Sequence, residues 1–460
     1  MSLPTLLSTE RLKSGTAQQV RPGRLNLYRV PWLRPILQSP WPQFLVRAVT
    51  LAGFIFTIAA GIFGVRAGGS NFAIIFVWIA WWTALKLGFI PLGGRSWCSI
   101  CPIPLPGEWL QRGGILQPGK GLGLNRRWPK WLRGTWLQSG AFLVIGIFSV
   151  ITLTNPRVAA WVLAGLFALA IGLSLVYEQR AFCSYLCPIG GFTGLYAKTA
   201  PVEVRVLDKA ICLTHQPKTC YQACPWGIYP VSLWDSATCG LCLACLRACP
   251  SDNLALNLRP PGDDLINAPA PRRLDEAFFA SVMLGSALAF AAVFTGPWGA
   301  LKNAAYAIGS VEWGIYALGF LALNLAVLPG FFALSVWVSE LGKKKNVLHS
   351  AIANQTQALL PLGLTAWIAF TLSFALPKAH YVLAVISDPL GWGWDLFGTA
   401  GAASFPGLTG PGQTLQVVIL LGGLFWSAEV TRKRTPSGGC ALPVQAFSLI
   451  FALVMLWLLI

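Results

Sequence analysis

The sequence predicts a polytopic α-helical membrane protein of about nine transmembrane helices, with one small cysteine-rich α+β domain. Three observations predict this fold class. Of the 460 residues, 55% are hydrophobic and 11% are charged, which argues against a soluble protein. Apolar runs long enough to cross a hydrocarbon core of about 30 Å recur along the chain. Nine of the twelve cysteines lie between Cys183 and Cys249, in closely spaced groups.

Nine apolar segments are long enough to be transmembrane helices. They are 45–65, 72–91, 136–153, 159–178, 276–296, 314–338, 356–376, 413–430 and 441–460. These spans divide the chain into a basic arm (1–44), a four-helix membrane half (45–198) with an inside loop at 92–135, a soluble domain (199–262), and a five-helix membrane half (276–460) with a Trp-rich outer loop at 377–411.

The basic residues indicate the orientation. With the N-terminus inside, the inside segments and Arg47 hold 29 of the 34 Lys and Arg; these segments are 1–44, 92–135, 179–275, 339–355 and 431–440. This positive-inside pattern predicts a multi-pass protein of the bacterial inner (cytoplasmic) membrane, with the N-terminus and the soluble domain in the cytoplasm and the C-terminus outside. Topology and lipid contact explain the net charge of +18 without nucleic acid. We expect the 1–44 arm to lie on anionic lipid.

Two helical hairpins end in similar motifs, which form an internal repeat. They read Arg95-Ser-Trp-Cys98-Ser-Ile-Cys101-Pro and Arg180-Ala-Phe-Cys183-Ser-Tyr-Leu-Cys187-Pro. Related hairpins would bring both cysteine pairs to one cytoplasmic rim, where four thiolates could hold a third 4Fe-4S cluster. The alternative is two separate redox-active or structural pairs. Arg95 and Arg180 would anchor the helix ends, stabilise an anionic cluster, or do both.

The run Cys239-Gly-Leu-Cys242-Leu-Ala-Cys245-Leu-Arg-Ala-Cys249-Pro has the spacing of a bacterial ferredoxin. In a two-cluster ferredoxin, each motif gives three ligands to one cluster and its last cysteine to the other. Cys239, Cys242, Cys245 and Cys224 then complete one 4Fe-4S site. A zinc site would not need this spacing or the paired Cys-Pro endings. The soluble domain is thus predicted to be a small cytoplasmic α+β two-cluster ferredoxin domain.

The second ferredoxin cluster would take Cys212, Cys220 and Cys249, and its motif has His215 where a cysteine is expected. Histidine can replace cysteine as a cluster ligand, as in Rieske centres. Three outcomes stay open: a histidine-ligated four-iron cluster, a 3Fe-4S cluster with three thiolates, or a cluster open to water or a partner. The simpler alternative for His215 is a solvated loop histidine. Cys440 is left over, and we expect it to be a small buried residue.

Hydrophobic hairpins that end in Cys-Pro motifs and precede a two-cluster ferredoxin resemble the membrane polyferredoxins of the NapH, NosR and CcoG type. The resemblance covers about 45–260 and rests on Cys183-Ser-Tyr-Leu-Cys187-Pro188 and on the run from Cys239 to Pro250. It implies electron transfer between the quinone pool or cytoplasmic donors and a redox partner, commonly across the membrane. The first motif departs from the family, because Cys98 and Cys101 have two spacer residues where three are usual.

We therefore expect an electron-transfer membrane subunit of a quinol-dehydrogenase-like complex. The alternative is an iron-sulfur assembly or metal-reducing factor for another respiratory complex. In the second membrane half, His349 and His380 lie at opposite ends of one predicted span, which disfavours a bis-histidine haem. The outer loop with His380, Asp388, Trp392 and Asp395 is an aromatic belt, a docking site for a periplasmic redox protein, or a quinol site.

Overall fold

The computed structural model describes residues 23–115, 119–269, 274–341, 348–401, 409–435 and 439–460. These residues are mostly helical, and eight of their helices are long and apolar enough to cross a membrane. The eight are Trp41–Phe63, Phe72–Gly93, Pro156–Val176, Leu274–Phe294, Val311–Ser339, Leu348–Ser387, Gly410–Arg434 and Leu442–Leu459. The protein is therefore a polytopic helical protein.

The third of the nine predicted spans, 136–153, is interrupted. It forms two shorter helices, Trp136–Ile147 and Ser149–Thr154, which are separated at Phe148. The second helix contains the consecutive β-branched residues 150–152, which lose side-chain freedom in a helix and lower its propensity. Among the described residues, this segment is the one predicted span without a corresponding long helix.

The helix Leu348–Ser387 is longer than its predicted span, 356–376. It continues through Pro377 to Ser387. Residues 377–387 are therefore helical, although the sequence predicts a loop from residue 377 onward. Proline is tolerated in membrane helices because neighbouring groups satisfy the backbone that it leaves unpaired. The part of the expected loop at 402–408 lies outside the described residues.

The two membrane halves meet around a buried lysine. Lys86, in the helix Phe72–Gly93, is fully buried, and its Nζ donates a 2.6 Å hydrogen bond to Oγ1 of Thr371. The same ammonium lies 4.5 Å from the ring centroid of Trp82 and 4.8 Å from that of Trp367. Cation–π contacts of this kind are stronger when the charge is desolvated. The Lys86 side chain therefore joins the first membrane half to the second through Thr371 and Trp367.

Three strands, β1 (Leu25–Asn26), β2 (Val202–Val206) and β3 (Leu254–Leu258), form an antiparallel sheet in the order β1-β3-β2. Strands β2 and β3 belong to the cysteine-rich module, residues 199–262. Strand β1 comes from the basic arm, and Tyr28 behind it is buried in the module core. This part of the arm packs on the module, where its pairing with β3 covers a sheet edge; that the arm also lies on lipid stays a prediction. Residues 1–22 of the arm lie outside the described residues.

Buried charges fix the module to both membrane halves. Lys198 pairs with Asp235 at 3.2 Å and with Glu276, which begins the helix Leu274–Phe294, at 2.7 Å. At the end of another helix, Arg434 donates to the backbone carbonyls of Leu265 at 2.6 Å and Ala268 at 2.7 Å. Lys198 therefore links the module to the helix Leu274–Phe294, and Arg434 holds the segment that follows the module.

Candidate iron-sulfur centres

The rim site consists of Cys98, Cys101, Cys183 and Cys187. The helix Phe72–Gly93 ends at Gly94, whose φ of +57° is accessible to glycine and turns the chain into the short helix Trp97–Ile100. The second pair occupies a helical turn, Phe182–Leu186, and the cap of the helix Pro188–Tyr196. Each pair therefore lies at the turn that follows a membrane hairpin, as the repeat predicts.

The structure brings the four rim thiols together. Burial raises the pKa of Cys101 well above its usual range, and the neighbouring Cys183, Cys98 and Cys187 raise it further. Burial also raises the pKa of Cys187 to about 11. Four thiols this close and this buried cannot all ionise alone, because each charge opposes the others in a medium of low polarity. A cationic metal core would supply the missing compensation.

Two arginines join the repeats reciprocally. Arg95, from the first motif, donates to the backbone carbonyl of Cys183 at 3.0 Å, and Arg180, from the second, donates to that of Cys98 at 2.6 Å. Arg180 also binds Glu108, with Nε···Oε2 of 2.9 Å and Nη2···Oε2 of 2.5 Å. Although burial alone would raise the pKa of Glu108, the Arg180 guanidinium lowers it to about 2. Buried charged side chains thus hold the two repeats together at the rim. We refer to Arg95 and Arg180 as the arginine clasp.

The inner ferredoxin site consists of Cys224, Cys239, Cys242 and Cys245. All four line one small pocket. Between these cysteines the backbone is left-handed at Leu241 (φ +49°) and Leu243 (φ +57°), a conformation that turns successive amides toward a concave anion site. Burial raises the pKa of Cys239 to about 12.

The outer ferredoxin site consists of Cys212, Cys220, Cys249 and His215. Burial raises the pKa of Cys212 and of Cys220, and the neighbouring Cys249 thiolate raises both further. Asn253 supplies two donors, its backbone N–H to Sγ of Cys249 and its Nδ2 to Sγ of Cys212, both at 3.3 Å. Such N–H···S bonds tune the potential of a bound cluster.

His215 has the hydrogen bonding expected of a metal-ligating histidine. Its Nδ1 lies 2.7 Å from the backbone carbonyl of Ile211. Its Nε2 is buried and has no hydrogen-bond partner among the residues that the structure describes. A ligating histidine commonly donates one ring N–H to a carbonyl and binds the metal through the other nitrogen. A half-buried ring with an orphaned nitrogen fits a ligand better than a solvated loop histidine.

The donor set suits clusters better than single ions. Within the described ranges, no three His, Cys, Asp or Glu side chains converge closely enough to hold one metal ion. A zinc ion would hold thiolates at about 2.3 Å, whereas an iron-sulfur cluster spreads its four thiolates around a larger core. The thiol-rich donor set is therefore of the kind that iron-sulfur clusters use.

Sequence reasoning missed several neighbours of these sites. Glu108 is the one acidic residue in the basic loop 92–135, a signal that could have identified it. Trp226 lines the cavity of the inner ferredoxin site, and no sequence pattern identifies it. The expectation that Cys440 is buried is wrong, because Cys440 is exposed.

The outer loop uses its carboxylates to hold its own backbone. Asp388 accepts from the N–H groups of Trp392 at 3.0 Å and Gly393 at 2.8 Å. Asp395 accepts from Oγ of Ser387 at 2.7 Å. Trp392 remains 55% exposed, which suits an interfacial aromatic belt or a docking surface.

Comparison with known proteins agrees with this geometry. A family described as "4Fe-4S binding domain" matches residues 74–129 and 159–207, the two stretches that contain the rim pairs. The chain is 28% identical over 159 residues to the methylamine utilization ferredoxin-type protein MauN of Paracoccus denitrificans, and 29% identical over 155 residues to MauN of Methylorubrum extorquens.

The similarity to these relatives is partial. The matches cover 31% and 30% of this chain and 53% and 50% of the two relatives, so the chain spans about half the length of the curated relatives it matches. No solved structure matches the chain. The similarity therefore supports a 4Fe-4S binding domain and a ferredoxin-type protein.

Proposed function

We propose that this chain, a polyferredoxin-like membrane protein with a 4Fe-4S binding domain, is an electron-transfer subunit. It relays electrons through iron-sulfur clusters between a cytoplasmic donor or acceptor and the quinone pool or a membrane or periplasmic redox partner. The observation that carries the proposal is the contact between sites: Cys98 of the rim site and Cys242 of the inner ferredoxin site belong to one buried packing group.

The series continues to the outer ferredoxin site. Cys245 of the inner site and Cys220 of the outer site interact electrostatically, and Cys212, Cys220, Cys239 and Cys249 pack in one core. We propose three clusters, held by the rim, inner and outer sites as defined above, with His215 as the twelfth ligand. When bound, each cluster supplies one-electron chemistry at its site.

Orientation and partners are part of the proposal. The distribution of Lys and Arg supports a cytoplasmic N-terminus and module in a bacterial inner membrane, with the C-terminus outside. The printed name of the relatives concerns methylamine utilization. By analogy we propose that this chain serves a redox chain together with other subunits of a membrane complex.

Iron and sulfide counting on the purified protein, with electron paramagnetic resonance (EPR), tests the cluster set. About twelve irons per chain are expected for three four-iron clusters. About eight would remove one of the three sites. A three-iron signal that changes on redox titration would count against His215 as a ligand.

Co-purification tests the role. Stoichiometric association with a redox enzyme supports the electron-transfer subunit. An unassociated monomer that reduces copper or iron would support the alternative of an assembly or metal-reducing factor.

A further inference from the structure

Two of the proposed cluster sites share one aromatic side chain. Trp226 packs in the same buried group as Cys98 of the rim site and Cys242 of the inner ferredoxin site. It also lines the cavity that the four inner cysteines surround. A single indole ring therefore lines the inner site and belongs to the buried group that includes Cys98 of the rim site.

The chain makes room for this ring at Gly240. A Cβ atom at this position would lie 2.1 Å from Cη2 and 2.4 Å from Cζ2 of Trp226, closer than any real contact. Gly240 lies between Cys239 and Cys242, two of the proposed ligands. The glycine thus lets the six-membered edge of the indole approach the backbone of the inner site.

The arginine clasp holds the ring from the rim side. Cζ of Arg180 lies 4.5 Å from the ring centroid of Trp226, and Cζ of Arg95 lies 5.9 Å from it. Each guanidinium also donates to the backbone carbonyl of a rim cysteine. Cation–π attraction at this buried position restrains the ring. The residues that join the two repeats therefore also position Trp226.

We propose that Trp226 is the side chain that electronically connects the rim site to the inner ferredoxin site, with Arg95 and Arg180 as its positioning residues. The inference rests on the proposed function, because it requires a cluster at each site. The step is a transfer of one electron, in which one site is oxidised and the other is reduced. Trp226 shortens the tunnelling gap without being oxidised, no bond forms or breaks, and no proton moves.

Rapid-freeze EPR on the full-length, cluster-loaded protein tests this role. The protein is mixed with excess dithionite, and the signals of the rim and outer sites are followed in time. Trp226→Leu should slow the appearance of the rim signal at least several-fold and leave the outer signal unchanged. Trp226→Phe keeps a ring and should stay close to the wild-type rate. The midpoint potentials of the rim and inner sites are measured in each variant. They distinguish slower electron transfer caused by weaker electronic coupling between the two sites from slower transfer caused by a smaller difference in potential.

A matched control removes a different buried indole near the rim. Trp128 is 8% exposed, compared with 7% for Trp226, and stacks on Tyr185 at 5.1 Å. It does not line the cavity of the inner site. Trp128→Leu should therefore leave the rate at the rim unchanged. Gly240→Ala keeps the indole and displaces it, and should slow transfer even where Trp226→Leu fails to retain its clusters.

The outcomes separate this inference from the function on which it rests. A fully loaded Trp226→Leu protein with the wild-type rate would overturn the role of Trp226 and leave the relay standing. If Trp226→Leu loses its clusters, a Gly240→Ala protein with the wild-type rate would overturn it equally. A wild-type protein without a rim cluster, at about eight irons, would overturn both.

Discussion

The rim site and the outer ferredoxin site lie at different depths. Beside Cys183 of the rim site, Ala181 and Phe182 are 3% and 2% exposed. Beside Cys212 of the outer site, Ile211 and Leu213 are 41% and 46% exposed. The residues that flank Cys183 are thus buried, whereas those that flank the buried Cys212 are open to solvent.

The two sites also obtain their ligands differently. The rim cysteines come from two membrane hairpins that buried arginines hold together. The outer cysteines come from short helices, Lys209–Thr214 and Thr219–Ala223, and a loop. Short helices are marginal without further contacts, so the outer site should depend on its cofactor for order. Within the proposed relay, its shallow position suits exchange with a soluble partner.

Substituting Arg180 should have the largest effect, because it should remove the rim cluster and leave the outer ferredoxin site in place. Arg180→Met would leave the Glu108 carboxylate buried without its main partner, at a cost of about 3–5 kcal/mol for breaking such a pair. We expect loss of the rim cluster, a fall from about twelve to about eight irons, and lower thermal stability in detergent. Iron assay and thermal denaturation provide the readouts.

Arg112→Met is the matched control for Arg180. Arg112 pairs with the same carboxylate at 3.5 Å, and its side chain is 30% exposed. A partly exposed pair contributes about 0–1 kcal/mol, so this variant should keep all its iron. Equal iron loss in both variants would mean that the buried Arg180–Glu108 pair contributes no more to retention of the rim cluster than the partly exposed Arg112–Glu108 pair.

The grouping of the cysteines can be predicted from motif spacing, whereas the residues that surround them cannot. A repeated helix–turn motif has the same local geometry in both copies, so the convergence of Cys98 and Cys183 follows from the chain itself. By contrast, Arg95 of the first copy bonds to the second copy and Arg180 of the second bonds to the first. These hydrogen bonds depend on contacts between distant segments of the chain. Likewise, a two-residue strand such as Leu25–Asn26 is too short to show alternation, so its pairing with β3 could not be predicted.

Chelation should separate the two sites in time. We expect a water-soluble ferrous chelator to reach the outer ferredoxin site through the exposed turn at Ile211 and Leu213, whereas Ala181 and Phe182 beside the rim site are buried. We expect the EPR signal of the outer site to disappear first and the rim signal to persist. Simultaneous loss of both signals would show that depth does not control stability here.

His215 should matter for one cluster alone. If its Nε2 ligates, His215→Ala converts the outer site to a three-iron cluster, and His215→Cys lowers the potential of that site, because thiolate replaces neutral imidazole. EPR and redox titration measure both effects. Thr214→Ala, which removes an exposed hydroxyl bonded only to backbone carbonyls, is the neighbouring control. Identical spectra for His215→Ala and wild type would rule out ligation.

The smallest expected effect is the loss of one hydrogen bond at the rim. Oγ1 of Thr193 lies 3.3 Å from Sγ of Cys98 and 2.9 Å from the backbone carbonyl oxygen of Ile189, so the sulfur and the carbonyl compete for its one proton. Thr193→Val removes the hydroxyl while nearly conserving shape. A hydrogen bond to a thiolate favours the more negative, reduced cluster. At a net value of about 0.5–1.5 kcal/mol, its loss should lower the rim potential by roughly 20–60 mV for one electron.

Thr199→Val provides the comparison for Thr193. Thr199 is also buried, and its hydroxyl donates to the backbone carbonyl of Tyr196 at 2.7 Å. Because the Thr199 hydroxyl bonds to a backbone carbonyl and to no cysteine sulfur among the described residues, the midpoint potential of the rim site should stay at the wild-type value. The outer potential should stay constant in both variants, since neither hydroxyl contacts that site. If only Thr193→Val shifts the midpoint potential of the rim site, a single side chain tunes that cluster. Equal shifts of this potential in both variants would instead indicate general loosening of the helix Pro188–Tyr196.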